Sequence, residues 1–250
     1  MFDLTGKTAI VTGGTKGLGL AIVQALSSVG AQVVVVSRNA HDCKRVAQDL
    51  EDKGRKAFGF ACDITQSENI QDLIDNTLQQ YGRIDILINN AGVAVTKPAV
   101  ELTEEDWDFV INTNLKGVFM MAQAVGQVMI QQQYGRIINM ASMFGLVGDK
   151  NVLPYLCSKG GVIQMTKGLA LEWARHNITV NAIAPGYVVT PINEAVLKEE
   201  KVQKYLLGKT PLRRFGKGHE VASAAVYLSS DESSYVTGSV FSVDGGWTAQ

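Results

Sequence analysis

Tyr155 and Lys159 stand four residues apart in Tyr155-Leu156-Cys157-Ser158-Lys159, with Ser142 thirteen residues upstream. Residues at this spacing share one face of a helix, so a phenol and an ammonium can converge on a single point. A cation beside a tyrosine favours the phenolate, which predicts a pKa below the reference of about 10 and a side chain usable as acid or base near neutrality. Ser142, read alone, is a turn serine at a strand end. The phenol–ammonium pair suits acid/base chemistry in a redox enzyme, provided a hydride carrier is held beside it.

A place for such a carrier stands near the N-terminus. Thr12-Gly13-Gly14-Thr15-Lys16-Gly17-Leu18-Gly19 follows an apolar run and opens a helical pattern. Glycines there permit positive φ and close backbone approach, and the helix N-terminus favours a pyrophosphate. The spacing is Gly-x-x-x-Gly-x-Gly, which differs from the general dinucleotide fingerprint. At the end of the next apolar run the chain carries Ser37-Arg38-Asn39 where NAD recognition would call for a carboxylate. A guanidinium can grip the 2′-phosphate of NADP, and Lys16 can approach the same group, so NADP(H) is the expected cofactor.

These residues need a frame. Apolar, β-branched runs at 8–11, 33–36, 57–61, 84–88, 136–140, 179–183 and 239–243 predict seven strands. Helical spacing over 18–28, 42–53, 68–81, 104–132, 155–175 and 220–229 alternates with them. Strict alternation implies an α/β fold, a doubly wound Rossmann-type domain with a parallel sheet covered on both faces. Ligands then lie at the carboxyl ends of the strands. The 250 residues, 46% of them hydrophobic, fit one domain, 1–250. The stretch Pro191 to Gly218 does not return promptly to the sheet and reads as a substrate lid, about 187–218.

Composition narrows the partners. A net charge of −1 with 23 scattered basic residues gives no footprint for nucleic acid or an anionic membrane, so a small-molecule partner is expected. No apolar run approaches the roughly 18–20 residues of a membrane span, and the N-terminus lacks a signal-like apolar stretch, which suggests the cytoplasm. Cys43, Cys62 and Cys157 have no Cys-x-x-Cys spacing and fit reduced thiols, while His41, His176 and His219 are scattered, so no metal site is expected.

In order along nearly the whole chain, the residues resemble the classical subgroup of the short-chain dehydrogenase/reductase family. The resemblance rests on the turn at Thr12 to Gly19, Asp63, Asn89-Asn90-Ala91-Gly92, Asn114, Ser142, Tyr155 with Lys159, Pro185-Gly186 with Thr190, and Asp244-Gly245-Gly246. It implies that Gly13, Thr15, Lys16, Gly17, Leu18 and Gly19 hold the pyrophosphate end, and Ser37 and Arg38 the 2′ position. Asp63 and Ile64 would meet the adenine. Asn90, Ala91 and Gly92 would lie beside its ribose, and Pro185, Gly186, Val188 and Thr190 beside the nicotinamide. Family members that use NADP carry basic residues where Lys16 and Arg38 stand.

The same resemblance implies a catalytic set of Asn114, Ser142, Tyr155 and Lys159. Tyr155 would be the acid, Ser142 the ligand of the carbonyl oxygen, and Lys159 the cation that also holds the nicotinamide ribose. Asn114 would hold a water linking Lys159 to solvent. The alternative for Asn114 is a buried amide fixing a helix kink, since Asn112-Thr113-Asn114 are poor helix formers.

The family's layout implies that Val93, Ala94, Met143, Phe144, Leu153 and Tyr187 form the substrate wall. Their apolar character favours a ketone with hydrophobic substituents, as in carbonyl reductases. Gluconate 5-dehydrogenases and 3-oxoacyl-[acyl-carrier-protein] reductases are similar as well. The former tend to have arginines after Asn-Asn-Ala-Gly, where this chain has Val93-Ala94-Val95-Thr96-Lys97. The latter dock an acidic carrier, for which Arg136 and Arg175 are the candidate cations. A cofactor-binding sensor without turnover is a further reading. The resemblance also implies a homo-oligomer, tetramer or dimer, built on helices 104–132 and 155–175 and on the 240–247 region.

Overall fold

The computed structural model describes residues 2–190 and 197–249. Its centre is a seven-stranded parallel sheet in the order β3-β2-β1-β4-β5-β6-β7. The strands are β1 (Thr8–Thr12), β2 (Gln32–Ser37), β3 (Ala57–Ala61), β4 (Ile86–Asn89), β5 (Gly135–Met140), β6 (Ile178–Pro185) and β7 (Val240–Val243). All seven expected strands are present, with ends moved by one or two residues. The largest shifts, of two residues, are the start of β4 at Ile86 and the end of β6 at Pro185; just before β4, Asp85 turns its carboxylate to the Thr8 backbone N–H and to Arg83.

Covering both faces explains why the central strands are apolar along their whole length. Successive side chains of a strand point to opposite sides. Ala9 and Val11 of β1 and Val33 and Val35 of β2 therefore enter one core, and Ile10, Val34 and Val36 the other. The first core is closed by α1 (Gly17–Ser28) and α2 (Ala40–Glu51), the second by α3 (Ser67–Tyr81) and α5 (Gly117–Gln132). In α2, Cys43, Val46, Ala47 and Leu50 make the buried stripe, and the Asn39 side chain caps the helix by accepting the Asp42 N–H at 3.1 Å.

The expected helix 104–132 is three pieces. α4 (Glu104–Ile111), opened by a Thr103–Asp106 capping box, runs into a π-helical turn at Asn112–Lys116 and then into α5. The poor helix formers thus mark a wide turn within one rod. Helix α6 (Leu153–Trp173) starts two residues before the expected position, with Pro154 in its first turn, and ends in a 3-10 turn at Ala174–His176. Beyond β6, α7 (Glu200–Lys209) and α8 (Gly218–Ser229) precede β7. Residues 191–196, the beginning of the expected lid, lie outside the described residues. Val188 forms a bridge with Gly216, so the two ends of the excursion meet. No helix among the described residues is long and apolar enough to cross a membrane.

Candidate active site

The sheet order reverses direction between β1 and β4, and the two loops leaving their carboxyl ends are stitched together there. Thr12 Oγ1 accepts the backbone N–H groups of Asn90 and Ala91, each at 3.0 Å. In return Asn90 Nδ2 donates to the carbonyls of Thr12 at 2.9 Å and Gly13 at 3.2 Å. The crossing requires glycine. A Cβ on Gly13, whose φ is +64°, would lie 2.8 Å from Asn90 Nδ2, and one on Gly19 would collide with the Gly13 carbonyl. Gly17, at φ +57°, faces Thr190. Leu18 packs against the core.

Over this crossing opens a cavity of about 820 Å³ that reaches from the glycine turn to the π-helical turn. Of the expected cofactor residues, Gly13, Thr15, Lys16, Ser37, Arg38, Asp63, Ile64, Ala91 and Gly92 line it. Lys16 and Arg38 are exposed at its rim and carry no ion pair among the described residues. A cradle of obligatory glycines, a helix N-terminus and two uncommitted cations fit an extended diphosphate with an additional anionic group. Asp63 spends one oxygen on the N–H and hydroxyl of Thr65, at 2.9 and 2.8 Å. The sequence reading missed Asn39, Asp42, Cys62, Phe109 and Lys116, which also line this cavity. The signal available for Asp42 was its place in the first turn of α2, four residues beyond Arg38.

Of the residues expected beside the nicotinamide, Pro185 and Val188 are buried, and Gly186 is pressed so closely on Asp244 that a Cβ would lie 2.7 Å from its Cα. Asp244 in turn accepts from Gly246 N and from the N–H and hydroxyl of Thr248.

The four expected catalytic residues converge at the carboxyl end of β5. Ser142, extended at φ −167°, caps a short 3-10 turn by accepting the Phe144 N–H at 3.2 Å, and its hydroxyl hydrogen-bonds that of Tyr155. Lys159, fully buried, donates from Nζ to the Met140 carbonyl at 2.6 Å, and Nζ lies 5.6 Å from the Tyr155 ring centroid. Asn114, inside the π-helical turn, accepts the Val93 N–H through Oδ1 and donates through Nδ2 to the Val93 carbonyl, each at 2.8 Å. The same Nδ2 reaches Ser158 Oγ at 3.2 Å. Seen from Gly92, Asn114 Oδ1 and Lys159 Nζ lie 3.3 and 3.7 Å from the position of a Cβ, so cofactor loop and catalytic cluster touch.

The electrostatics correct one expectation. Burial pushes the Tyr155 phenol up from its ordinary value, against a smaller downward pull from the Ser142 hydrogen bond. Lys159 does not depress it, because the ammonium is turned to the Met140 carbonyl, and burial takes Lys159 itself down to about 8. The phenol is thus held protonated at neutral pH.

The substrate wall is partly as expected. Phe144 meets Tyr187 edge-on with centroids 6.1 Å apart, and Tyr187 meets Trp247 at 5.5 Å. Leu153 and Ala94 are exposed, and Val93 lines the large cavity. Met143 departs from the expectation. It is 2% exposed, its side chain sealed beneath the 3-10 turn, and it has almost no surface to offer a ligand. Arg136 departs as well, being 2% exposed, bonded to Asp231 and stacked on Tyr134, so it cannot serve a docking surface. Lys97, the cation after Asn-Asn-Ala-Gly, is committed to Asp106 at 2.6 Å.

The model of the family described as Enoyl-(Acyl carrier protein) reductase matches residues 13–248. A 3-oxoacyl-[acyl-carrier-protein] reductase of Thermotoga maritima is 42% identical over 97% of this chain and 98% of its own length. Gluconate 5-dehydrogenase of Gluconobacter oxydans is 38% identical over 99% and 97%. Among solved structures, a gluconate 5-dehydrogenase from Burkholderia cenocepacia in complex with NADP and tartrate superposes with a TM-score of 0.96 at 35% identity, covering 100% of this chain and 98% of that one. The chain belongs to the short-chain dehydrogenase/reductase family. It is an oxidoreductase acting between CH–OH and C=O.

Proposed function

We propose that this enzyme interconverts a ketone and a secondary alcohol with NADP(H), acting as a carbonyl reductase on a ketone with a substantial apolar body. The observation that carries the reading is the juxtaposition of the Ser142–Tyr155 hydroxyl pair with buried Lys159, at the edge of a cavity whose far end holds uncommitted Lys16 and Arg38. NADPH, when bound, supplies the hydride. Lys16 and Arg38 hold its 2′-phosphate, the Gly13–Gly19 turn its pyrophosphate, Asp63 and Ile64 its adenine, and Asn90 to Gly92 the adjoining ribose. Pro185, Gly186, Val188 and Thr190 border the nicotinamide.

Tyr155 donates its phenolic proton to the carbonyl oxygen as the C–O bond gains its hydrogen at carbon. Ser142 hydrogen-bonds that oxygen, a contribution of about 2.7–4 kcal/mol in favourable sites. Lys159, pinned by the Met140 carbonyl, holds the nicotinamide ribose. Asn114 positions Val93 and the Lys159 surroundings, and links Lys159 to solvent through water. The substrate lies between Val93, Ala94, Phe144, Leu153 and Tyr187, with 187–218 as its lid on a single 1–250 domain.

The apolar preference is supported by the Phe144–Tyr187–Trp247 edge and by the neutralised Lys97, which leaves no uncommitted cation after the Asn-Asn-Ala-Gly segment for a carboxylate. Burial of Arg136 argues against carrier docking. Exposed Phe109, Phe119 and Leu171 on α4, α5 and α6 support a homo-oligomer. Three free cysteines support a cytoplasmic setting.

The test follows nicotinamide absorbance with NADPH or NADH and an aryl ketone, an α-keto ester, 5-ketogluconate or a short 3-oxoacyl thioester. Fast NADPH oxidation with the aryl ketone supports the proposal. Preference for 5-ketogluconate or the thioester moves the substrate class, and NADPH binding without any turnover favours a sensor.

A further inference from the structure

The rim of the large cavity at the end of β2 carries three charges of mixed sign. Lys16 arrives from the glycine turn and Arg38 from the strand end, and both lack an ion pair among the described residues. The third is Asp42, which lines the same cavity and sits in the first turn of α2. Asn39, between Arg38 and Asp42, uses its side chain to cap the Asp42 N–H, which fixes the first turn of α2 beside the cavity that Asp42 lines. The Asp42 carboxylate has a long ion pair with Arg45, at 3.9 Å, and Arg45 is shared with Asp49 at 3.5 Å.

A 2′-phosphate held by Lys16 and Arg38 would therefore share its corner with a carboxylate, and like charges at close range repel. A free 2′-hydroxyl would meet no such repulsion and could donate a hydrogen bond to the acid. The helix N-terminus favours both a phosphate and a carboxylate, so the two compete for one electrostatic niche.

We propose that Asp42 limits the preference of this enzyme for the phosphorylated cofactor and keeps NAD(H) usable, so that the cofactor choice is set by Lys16 and Arg38 against Asp42. The inference rests on the NADP reading above. It makes Asp42 a specificity-determining residue with no part in the chemical step.

The test is direct binding, followed by fluorescence or calorimetry, of two ligand pairs to the wild-type protein and to Asp42→Asn and Arg38→Ala. The pairs are NADPH with NADH, and 2′-phospho-ADP-ribose with ADP-ribose. Asp42→Asn keeps the shape of the side chain and the backbone N–H that Asn39 caps. The expected result is that the phosphorylated member of each pair binds about three- to ten-fold tighter to Asp42→Asn, the effect of one charge removed at partly exposed range, while the other member changes by less than about two-fold. The gain should shrink with added salt. Equal changes in both members, or none in either, overturn the proposal. Failure of the underlying reading has its own signature. Wild type and Arg38→Ala would then bind both members of each pair alike, which overturns both statements.

Discussion

Asn114 holds Val93 by both of its backbone polar groups, one 2.8 Å hydrogen bond to the N–H and one to the carbonyl. A single amide in a helix thus serves as strand partner to a loop. Asn114→Ala would leave both groups without that partner, a loss of about 2–3 kcal/mol by the cost of unmet partly buried polar groups. Urea denaturation should report it, with a fall in kcat/KM as the loop beside Gly92 loosens. Asn114→Asp should keep the bond from the Val93 N–H and lose the one to the Val93 carbonyl, which a carboxylate repels. An unchanged denaturation midpoint for Asn114→Ala would show that Val93 is held by other means.

Removal of the Tyr155 hydroxyl should cost activity without unfolding the protein. Tyr155→Phe is expected to lower kcat by about 10²–10⁴, the range of general acid catalysis, with cofactor affinity retained. A loss of less than ten-fold would assign the proton to another group.

The pH dependence of reduction follows from two shifts. Burial raises the Tyr155 phenol, so it remains protonated past neutrality, and Lys159 loses its proton first, near about 8. The rate should be level around neutral pH and decline as pH rises through about 8. A decline already present on the acid side of neutrality would contradict this order.

Lys159 also carries a stability signature. Its folded pKa of about 8 lies below the ordinary 10.5, so from 8 to 10.5 the unfolded chain binds more protons and stability must rise with pH. Below about 8 the buried charge exerts its full penalty, on the order of 3 kcal/mol. Relative to Lys159→Met, the wild type should gain stability between pH 8 and 10.5 and change little below. Paired urea titrations across that window decide it.

Two glycines should respond oppositely to alanine. Gly19→Ala places a methyl group on the Gly13 carbonyl and near Asn90, and should cost more than about 3 kcal/mol together with cofactor binding. Gly148→Ala meets nothing within 4 Å and should stay within about 0.5 kcal/mol. Thermal unfolding and cofactor titration of the two variants separate local crowding from a general intolerance of side chains.

Much of this architecture could be read from residue order. Buried parallel strands such as Val33–Val36 are apolar along their length, and the alternation with helical spacing leaves few topologies. Strand ends were less legible, because the partners around them are distant in sequence, as where Asp85, just before β4, accepts the Thr8 N–H across 77 residues. The closeness of Tyr155 and Lys159 was legible through their spacing, and that of Ser142 and Asn114 through the family resemblance, but the charge state of the cluster was not. Whether Lys159 lowers the Tyr155 pKa depends on where the ammonium points, and the Met140 carbonyl that holds it is nineteen residues upstream. Asp42 escaped notice because an acid in the first turn of a helix is ordinary until the cavity beside it is seen. The run Asn112-Thr113-Asn114 signalled irregularity without revealing its kind.

That irregularity has a genetic reading. A π-helical turn is an α-helix carrying one additional residue. Removing one codon within 112–116 would join α4 and α5 into a regular rod and swing Asn114 out of line with Val93.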